Sequence, residues 1–362
     1  MRACFLVEEP DWSGTARAFA DGAALLRARG YETCLVAPSA SESERVLSSL
    51  GHDVIGLSSS GGWLRRGWRL RRVIAARLTE VVVAQGERAH LTAAAAVRLA
   101  GRGAVVRRVA PGERLALGSD GRFAARLAAT AYLFAHSDDA RGIEPPRGAL
   151  AAHVAPPGVA DATPGPGRAP ATVGAIHAGA PRLVVIAGAD RRRDMLVALR
   201  ALSLLAPREP DLRASVCAPV HDADAARLEA AALGIGARVD WLPAGALRPE
   251  LLDGAALAWV IASADEAAFG ILDAMARGVP VLAERGALTA RFVEHGVSGL
   301  LRHRADEAEW ASAIAEFLAH PERAEALRAG ARRAAARWPA NGGAEGWLAA
   351  AAAARDRTRW VA

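Results

Sequence analysis

Lysine is absent from this chain: all 45 basic residues are arginine. That single gap removes several classes of protein. A P-loop nucleotidase needs its phosphate lysine, a pyridoxal enzyme its Schiff-base lysine, and a protein kinase its strand lysine. Arginine can still clamp a diphosphate through its planar fork. Cysteine is scarce too. Cys4, Cys34 and Cys217 are odd in number and scattered, without metal-ligand spacing, which reads as buried thiols in a reducing compartment. No apolar run approaches the roughly 20 residues of a membrane helix. The chain opens directly on an apolar strand pattern, RACFLV, so no signal peptide is expected and the expected location is the cytoplasm. No nucleic-acid-binding module is evident. The sequence pI of about 10.3 carries little weight, because the formal net charge is only +6 and the Ala and Arg excess is general.

What is present is a globular pattern. The 362 residues suffice for two domains, and 52% are hydrophobic. Strand-like runs at Ala3–Val7, Thr33–Ala37, Asp53–Leu57, Val81–Ala84, Ala104–Val109 and Ala131–Ala135 alternate with helical stretches. The helices include Thr15–Arg29, Leu64–Leu78 and Ala89–Ala100. A Pro/Gly/Ala stretch from Pro156 to about Pro181 interrupts this order, with few large apolar residues. Alternation resumes with Leu183–Ala187, Arg213–Cys217, Val239–Leu242 and Leu257–Ile261. Repeated strand-then-helix order implies parallel sheets covered on both faces, with ligands beyond the carboxyl ends of strands.

The densest signal is WVIASADEAAFGILDAMARGVPVLAERGALTARFVEHGVSGLL, Trp259 to Leu301. It reads as strand, short polar loop with Ser263, Asp265 and Glu266, helix, Gly278 as helix stop, and a second strand from Val279. The helix start suits a phosphate, because its first N–H groups lack helical partners and lie at the positive end of the dipole. Asp265 and Asp273 bracket that start with seven residues between them. Both would repel a bare phosphate, yet each can accept from sugar hydroxyls, so the chemistry points to a sugar nucleotide.

This stretch resembles the signature of the family 4 glycosyltransferases, group 1, which have the GT-B fold. The family pattern is Glu, seven residues, Glu-Ala-Met-Ala-x-Gly-x-Pro-Val, then x-x-Gly-x-x-Gly-Leu-Leu. AMARGVPVLA and EHGVSGLL fit it, with aspartate standing at both glutamate places. The resemblance implies that Asp265 contacts the donor sugar and Asp273 holds the ribose diol. Backbone groups of Glu266, Ala267, Ala268, Phe269 and Gly270 would bind the diphosphate. VVIAGADRRRDMLVALRALSLL is similar to the family element whose Arg and Lys bind that diphosphate. Arg193 falls on the Lys, and Arg191 or Arg192 stands near the Arg. RVDWLPAGAL is similar to the strand before the donor-base loop, placing the base near Leu242 and Pro243. Trp12-Ser13-Gly14-Thr15-Ala16-Arg17 resembles the family's Gly-Gly loop, which puts Gly14 and Arg17 near donor phosphate and acceptor. AAHVAPPGVADA resembles the interdomain hinge, with Pro157 and Ala160 replacing its polar residues. The histidine common in retaining members falls at Arg107, Arg108 or a close neighbour, and Arg108 is the catalytic candidate there. His90 reads as a surface or half-buried helix residue.

The implied architecture is α/β, GT-B: two doubly wound Rossmann-like domains with parallel sheets facing a central cleft. The expected boundaries are 1–157 for the acceptor-side domain, 158–181 for a linker and 182–337 for the donor-nucleotide domain. A final helix, 338–362, would return to the first domain, with Trp347 and Trp360 as packing anchors. The implied activity is a retaining, metal-independent glycosyl transfer from a nucleoside-diphosphate sugar of UDP or GDP type, with no further cofactor. The catalytic candidates are Asp265, Arg193 and Arg108. The donor-site candidates are Gly14, Arg192, Arg193, Leu242, Glu266 to Gly270 and Asp273. The acceptor is a small molecule, a glycan or a lipid-linked group. Asp222-Ala223-Asp224 fits a metal motif by spelling only. Two other classes stay open: a catalytically degenerate partner subunit that binds sugar nucleotides, and a nicotinamide oxidoreductase, against which the missing G-x-G-x-x-G argues. The segment Trp63–Leu78 puts Trp63, Leu70, Ile74 and Leu78 on one side and Arg65, Arg69 and Arg72 on another. It is open to two readings, a helix covering the sheet or a peripheral contact at the inner membrane face.

Overall fold

The computed structural model describes residues 1–113, 115, 118–141, 150–159, 181–188, 192–218, 220–243, 249–304 and 306–358. The chain divides into two compact units, residues 1–157 with 341–362, and residues 158–340. The 160–180 stretch lies outside the described residues, as does Trp360.

The first unit holds a seven-stranded parallel sheet: β1 (Arg2–Leu6), β2 (Glu32–Pro38), β3 (Val54–Leu57), β4 (Val81–Gln85), β5 (Ala104–Val109), β6 (Thr130–Phe134) and β7 (Ala152–Val154). Their order is β3-β2-β1-β4-β5-β6-β7. The second unit has β8 (Arg182–Ala187), β9 (Arg213–Ala218), β10 (Val239–Pro243), β11 (Leu257–Ile261), β12 (Val281–Glu284) and β13 (Gly299–Arg302), in the order β10-β9-β8-β11-β12-β13. Both orders reverse beside the first strand of the unit. This is the doubly wound topology, whose reversal opens a crevice at the carboxyl ends of the two flanking strands. The two strands that the sequence pattern left out, β7 and β13, are both edge strands, short and flanked by turn residues.

Alternation of side chains along each strand builds two apolar layers per sheet. In the first unit Phe5, Leu35 and Val83 face Phe19 and Leu26 of the helix Gly14–Ala28. The helix Ala344–Thr358 adds Trp347, Ala350, Ala351 and Ala354 to that layer. Trp347 lies 5.7 Å from Phe5 between ring centroids. Gly22 admits it: a Cβ there would come within 2.7 Å of the indole. On the other face Cys4, Leu6 and Val82 meet Leu70, Ile74 and Leu91. In the second unit Val185 and Trp259 pack on Leu199 and Trp310, while Val184 and Ile186 pack on Ala267, Ile271 and Met275. All three cysteines are buried free thiols. No helix among the described residues is long and apolar enough to cross a membrane.

Candidate active site

In the second sheet the reversal lies between β8 and β11, paired in register from Leu257↔Leu183 to Ile261↔Ala187. The Gly188 N–H donates to the Ile261 carbonyl at 3.0 Å and closes the pair. Each strand then feeds a helix, Arg192–Leu205 after β8 and Ala264–Ala276 after β11. Both helix N-termini therefore open at the reversal, where their dipoles favour an anion. Of the residues that the sequence motifs single out, Asp265, Glu266, Arg192 and Arg193 lie in the first turns of these two helices.

The helix Ala264–Ala276 begins at Ser263, which has extended backbone angles. Asp265 and Glu266 occupy its first turn, where acidic side chains offset the dipole. It ends in a Schellman arrangement. The Gly278 N–H bonds the Met275 carbonyl at 2.9 Å, the Val279 N–H bonds that of Ala274 at 2.8 Å, and Gly278 adopts φ +68. Asp265 and Asp273 are both buried. They are eight positions apart, about 12 Å along the axis and about 80° around it. Ala264 has φ +48, a left-handed value that costs an alanine energy and is found at functional turns.

The geometry corrects two expectations. Asp265 and Glu266 are helix residues, not loop residues, because the helix starts directly after Ser263. In consequence the N–H of Ala267 already bonds the Ser263 carbonyl at 3.2 Å. Ala268, Phe269 and Gly270 lie deeper in the helix with buried side chains, and their N–H groups point back along it. The outward donors of such a helix belong to its first turn, Ala264 to Glu266. Gly270 has a packing role: a Cβ there would meet Ile186 at 3.1 Å.

Arg192 and Arg193 are the first two residues of the helix Arg192–Leu205, inside its first turn rather than in a loop before it. Arg193 is exposed. Arg191 and the side chain of Arg192 lie outside the described residues. Leu242 is half-buried near the end of β10, the edge strand three steps from β11, about 14 Å away at normal strand spacing. Asp224 pairs with Arg227 at 3.1 Å on the surface of its helix. Among the described residues no three His, Cys, Asp or Glu side chains are grouped to hold a metal.

The first sheet reverses between β1 and β4. Ser13 caps the helix Gly14–Ala28, its Oγ accepting from the Ala16 N–H at 3.1 Å. Gly14 is buried as the first helical residue, and its φ is not positive. Arg17 lies 4.0 Å from Asp21 on the same helix. Next to this turn, Gln85 Nε2 donates to Thr15 Oγ1 at 2.7 Å, and Gln85 Oε1 accepts from Arg108. Arg108 is thus held, buried, at the sheet's reversal. Its neighbour Arg107 points the opposite way, as strand alternation requires. It lies buried beside His90 and Tyr132 with Glu113 at 3.9 Å.

His90 is fully buried rather than on the surface. Its helix, Gly86–Ala100, is apolar on nearly every side, so helical position alone could not reveal this. The Thr130 hydroxyl donates to the Ala128 carbonyl at 3.1 Å and therefore accepts from His90 Nε2–H at 3.0 Å, leaving Nδ1 unprotonated. Burial, reinforced by the Arg107 charge, pushes its pKa down to about 3. A sequestered neutral imidazole of this kind does not touch substrate.

Residues 174–334 match the family model described as Glycosyl transferases group 1. The fold is GT-B. A D-inositol 3-phosphate glycosyltransferase from Thermobispora bispora is 38% identical over 169 residues, 43% of this chain and 37% of that relative. The match thus spans little more than a third of the relative's length. Two solved structures share the whole architecture. HepE from Anabaena, in complex with UDP-glucose, superposes with TM-score 0.74 at 16% identity, covering 96% of this chain and 98% of its own. A glycosyltransferase from Rickettsia africae gives TM-score 0.69 at 12% identity, with 96% and 97% covered. At such identities the likeness is one of fold alone.

Proposed function

We propose that this protein is a retaining glycosyltransferase that moves a sugar from a nucleoside-diphosphate sugar to an acceptor held by its first unit. The observation that carries this reading is the pair Asp265 and Asp273. Both are buried on one helix that starts at the reversal of the second sheet, within the segment matched by the family model.

In this reading Asp273 accepts from the ribose hydroxyls and Asp265 from hydroxyls of the transferred sugar. The first turn of that helix and Arg193, with Arg192 beside it, receive the diphosphate. As the glycosidic bond breaks, negative charge grows on the leaving diphosphate, and these groups stabilise it electrostatically without a metal ion. Arg108 provides a fixed positive charge on the first unit, near Gly14 and Arg17, where the acceptor binds. Arginine carries no lone pair for base catalysis at neutral pH, so Arg108 orients an anion or hydroxyl rather than removing a proton. HepE is described with UDP-glucose, which favours UDP as the donor base. The Thermobispora relative is named for D-inositol 3-phosphate, which makes a phosphorylated polyol a sensible first acceptor to test.

The test is a thermal-shift screen of UDP, GDP, ADP, dTDP, CDP and NAD without added metal. A ligand that binds only the folded state raises the melting temperature. A shift with one nucleoside diphosphate supports the donor site, and a shift with NAD alone overturns it. A second reading, a partner subunit that binds sugar nucleotides without turnover, is favoured by the aspartates. Each is one methylene shorter than the glutamate of the resemblance, so hydroxyl reach is reduced. Measured transfer to any acceptor excludes it.

A further inference from the structure

The helix Trp63–Ala76 sets the apolar side of its pattern inward, as a helix covering the sheet does. Leu70 and Ile74 lie in the core, and Trp63 is half-buried. The outward face instead carries Leu64, Trp68, Arg65 and Arg72, with Arg71 at its margin. Leu64 is 57% exposed and Trp68 41%. Arg72 stacks over the Trp68 ring at 4.1 Å and Arg71 at 5.1 Å. Phe123, on the helix Ser119–Leu127, is 44% exposed and meets Trp63 edge-on at 6.2 Å between centroids. Trp68 and Phe123 are the two exposed aromatic residues among the described ones; both belong to the first unit, and Phe123 meets the helix Trp63–Ala76 at Trp63.

The charges are equally one-sided. The helix has five arginines and no carboxylate. Arg66 is used internally, paired with Glu8 at 2.6 Å. Arg69 folds back onto the carbonyls of Ser58 and Ser60. Arg65, Arg71 and Arg72 have no carboxylate partner among the described residues. An ordinary solvated helix face would intersperse acids and would not present leucine and indole between its cations. Aromatic rings among unpaired arginines match the headgroup layer of an anionic bilayer, where rings sit at the interface and guanidinium groups meet phosphates.

We propose that the Leu64–Trp68–Phe123 rim with Arg65, Arg71 and Arg72 docks the first unit onto an anionic phospholipid surface. The helix Trp63–Ala76 follows β3 and the helix Ser119–Leu127 follows β5, so both begin at the carboxyl edge of the first sheet. The docking rim thus shares an edge with Arg108 and the Gly14 turn. A bilayer seated there would deliver a membrane-borne ligand to that edge. The inference does not depend on the glycosyl-transfer reading.

The test is co-sedimentation of the full chain with phosphatidylcholine vesicles, plain or containing about 30% phosphatidylglycerol. Binding is expected to the anionic vesicles only, and to fall steeply as salt rises to about 0.5 M. Replacing Arg65, Arg71 and Arg72 together by glutamine should weaken it about a hundredfold, roughly fivefold per arginine. Trp68→Ala with Phe123→Ala should weaken it further while leaving the salt dependence in place. The changed positions are exposed apart from the half-buried Arg71, so an unaltered melting temperature checks the fold. No binding to anionic vesicles, or unchanged binding by the triple variant, overturns the proposal. So does a wild-type dimer that Leu64→Ser with Trp68→Ser makes monomeric, because the rim would then be an interface between copies.

Discussion

Protonating His90 should unlatch the first unit. The histidine is buried, donates through Nε2 to Thr130, and stands beside the Arg107 charge. Its ordinary pKa of 6.5 falls to about 3 in the folded protein. The sign follows from that direction. Above pH 6.5 the imidazole is neutral in both states and stability is unaffected. Below it the unfolded chain takes up a proton that the folded one refuses, so stability is lost progressively until the pH reaches about 3. One pKa unit corresponds to about 1.36 kcal/mol, so at pH of about 4.5 the loss is about 2.7 kcal/mol. Against a typical domain stability of about 5–15 kcal/mol this is a substantial fraction. Amide hydrogen exchange over Gly86–Ala100 isolates the first unit from the second. After correction for intrinsic rates, protection there should fall about fiftyfold between pH of about 6.5 and 4.5. His90→Gln keeps a donor for Thr130 and removes the titrating ring, so it should flatten that slope. Equal slopes in the two proteins would refute the argument, whatever their absolute stabilities.

Asp273→Ala should weaken nucleoside-diphosphate binding at least tenfold by calorimetry, through loss of a carboxylate accepting two hydroxyls. Unchanged affinity would remove the ribose role. Arg193→Ala should weaken UDP much more than uridine, and equal losses would show that it does not meet the diphosphate. Ala264→Gly should stabilise the second unit by about 0.5–1 kcal/mol, because glycine adopts the left-handed angle without strain, unless a bound ligand needs the alanine. Gly346→Ala should destabilise the first unit by about 1–3 kcal/mol or prevent its folding, since an added Cβ would fall on the Val154 carbonyl oxygen. A melting temperature equal to wild type would contradict that packing.

Much of the fold could be read from apolar runs, because strands buried on both faces are continuous stretches such as VVVA in β4 and LVVIA in β8. The edge strands Ala152–Val154 and Gly299–Arg302 were not legible: each is short and has only one strand neighbour. The acidic pair and the Arg192–Arg193 turn were legible as a spacing. Which N–H groups face outward was not, because that depends on the single residue at which the helix begins. Burial of Arg107, Arg108 and His90 also escaped the sequence. A charged residue in a strand looks the same whether it reaches water or a buried partner such as Gln85. The helix Trp63–Ala76 shows a further limit. Its apolar side, Leu70 and Ile74, was legible and lies in the core, whereas the outward Leu64 and Trp68 were not singled out.

The second unit begins at Gly158 and ends at Ala340, and its two ends are tied together where the Val159 N–H bonds the Trp338 carbonyl at 3.0 Å. It is therefore an insert, a closed loop of sequence spliced into the first. On the ribosome the order of maturation is reversed from the order of synthesis. The unit made first remains short of Trp347, Ala350, Ala351 and Ala354, with Phe5 and Gly22 awaiting their indole, until the residues that follow the insert have emerged. The insert, continuous in sequence, can close its own core earlier. A chain released at residue 340 would thus carry a finished second unit and, in the first, an unroofed apolar sheet, the form in which this protein would most need a chaperone.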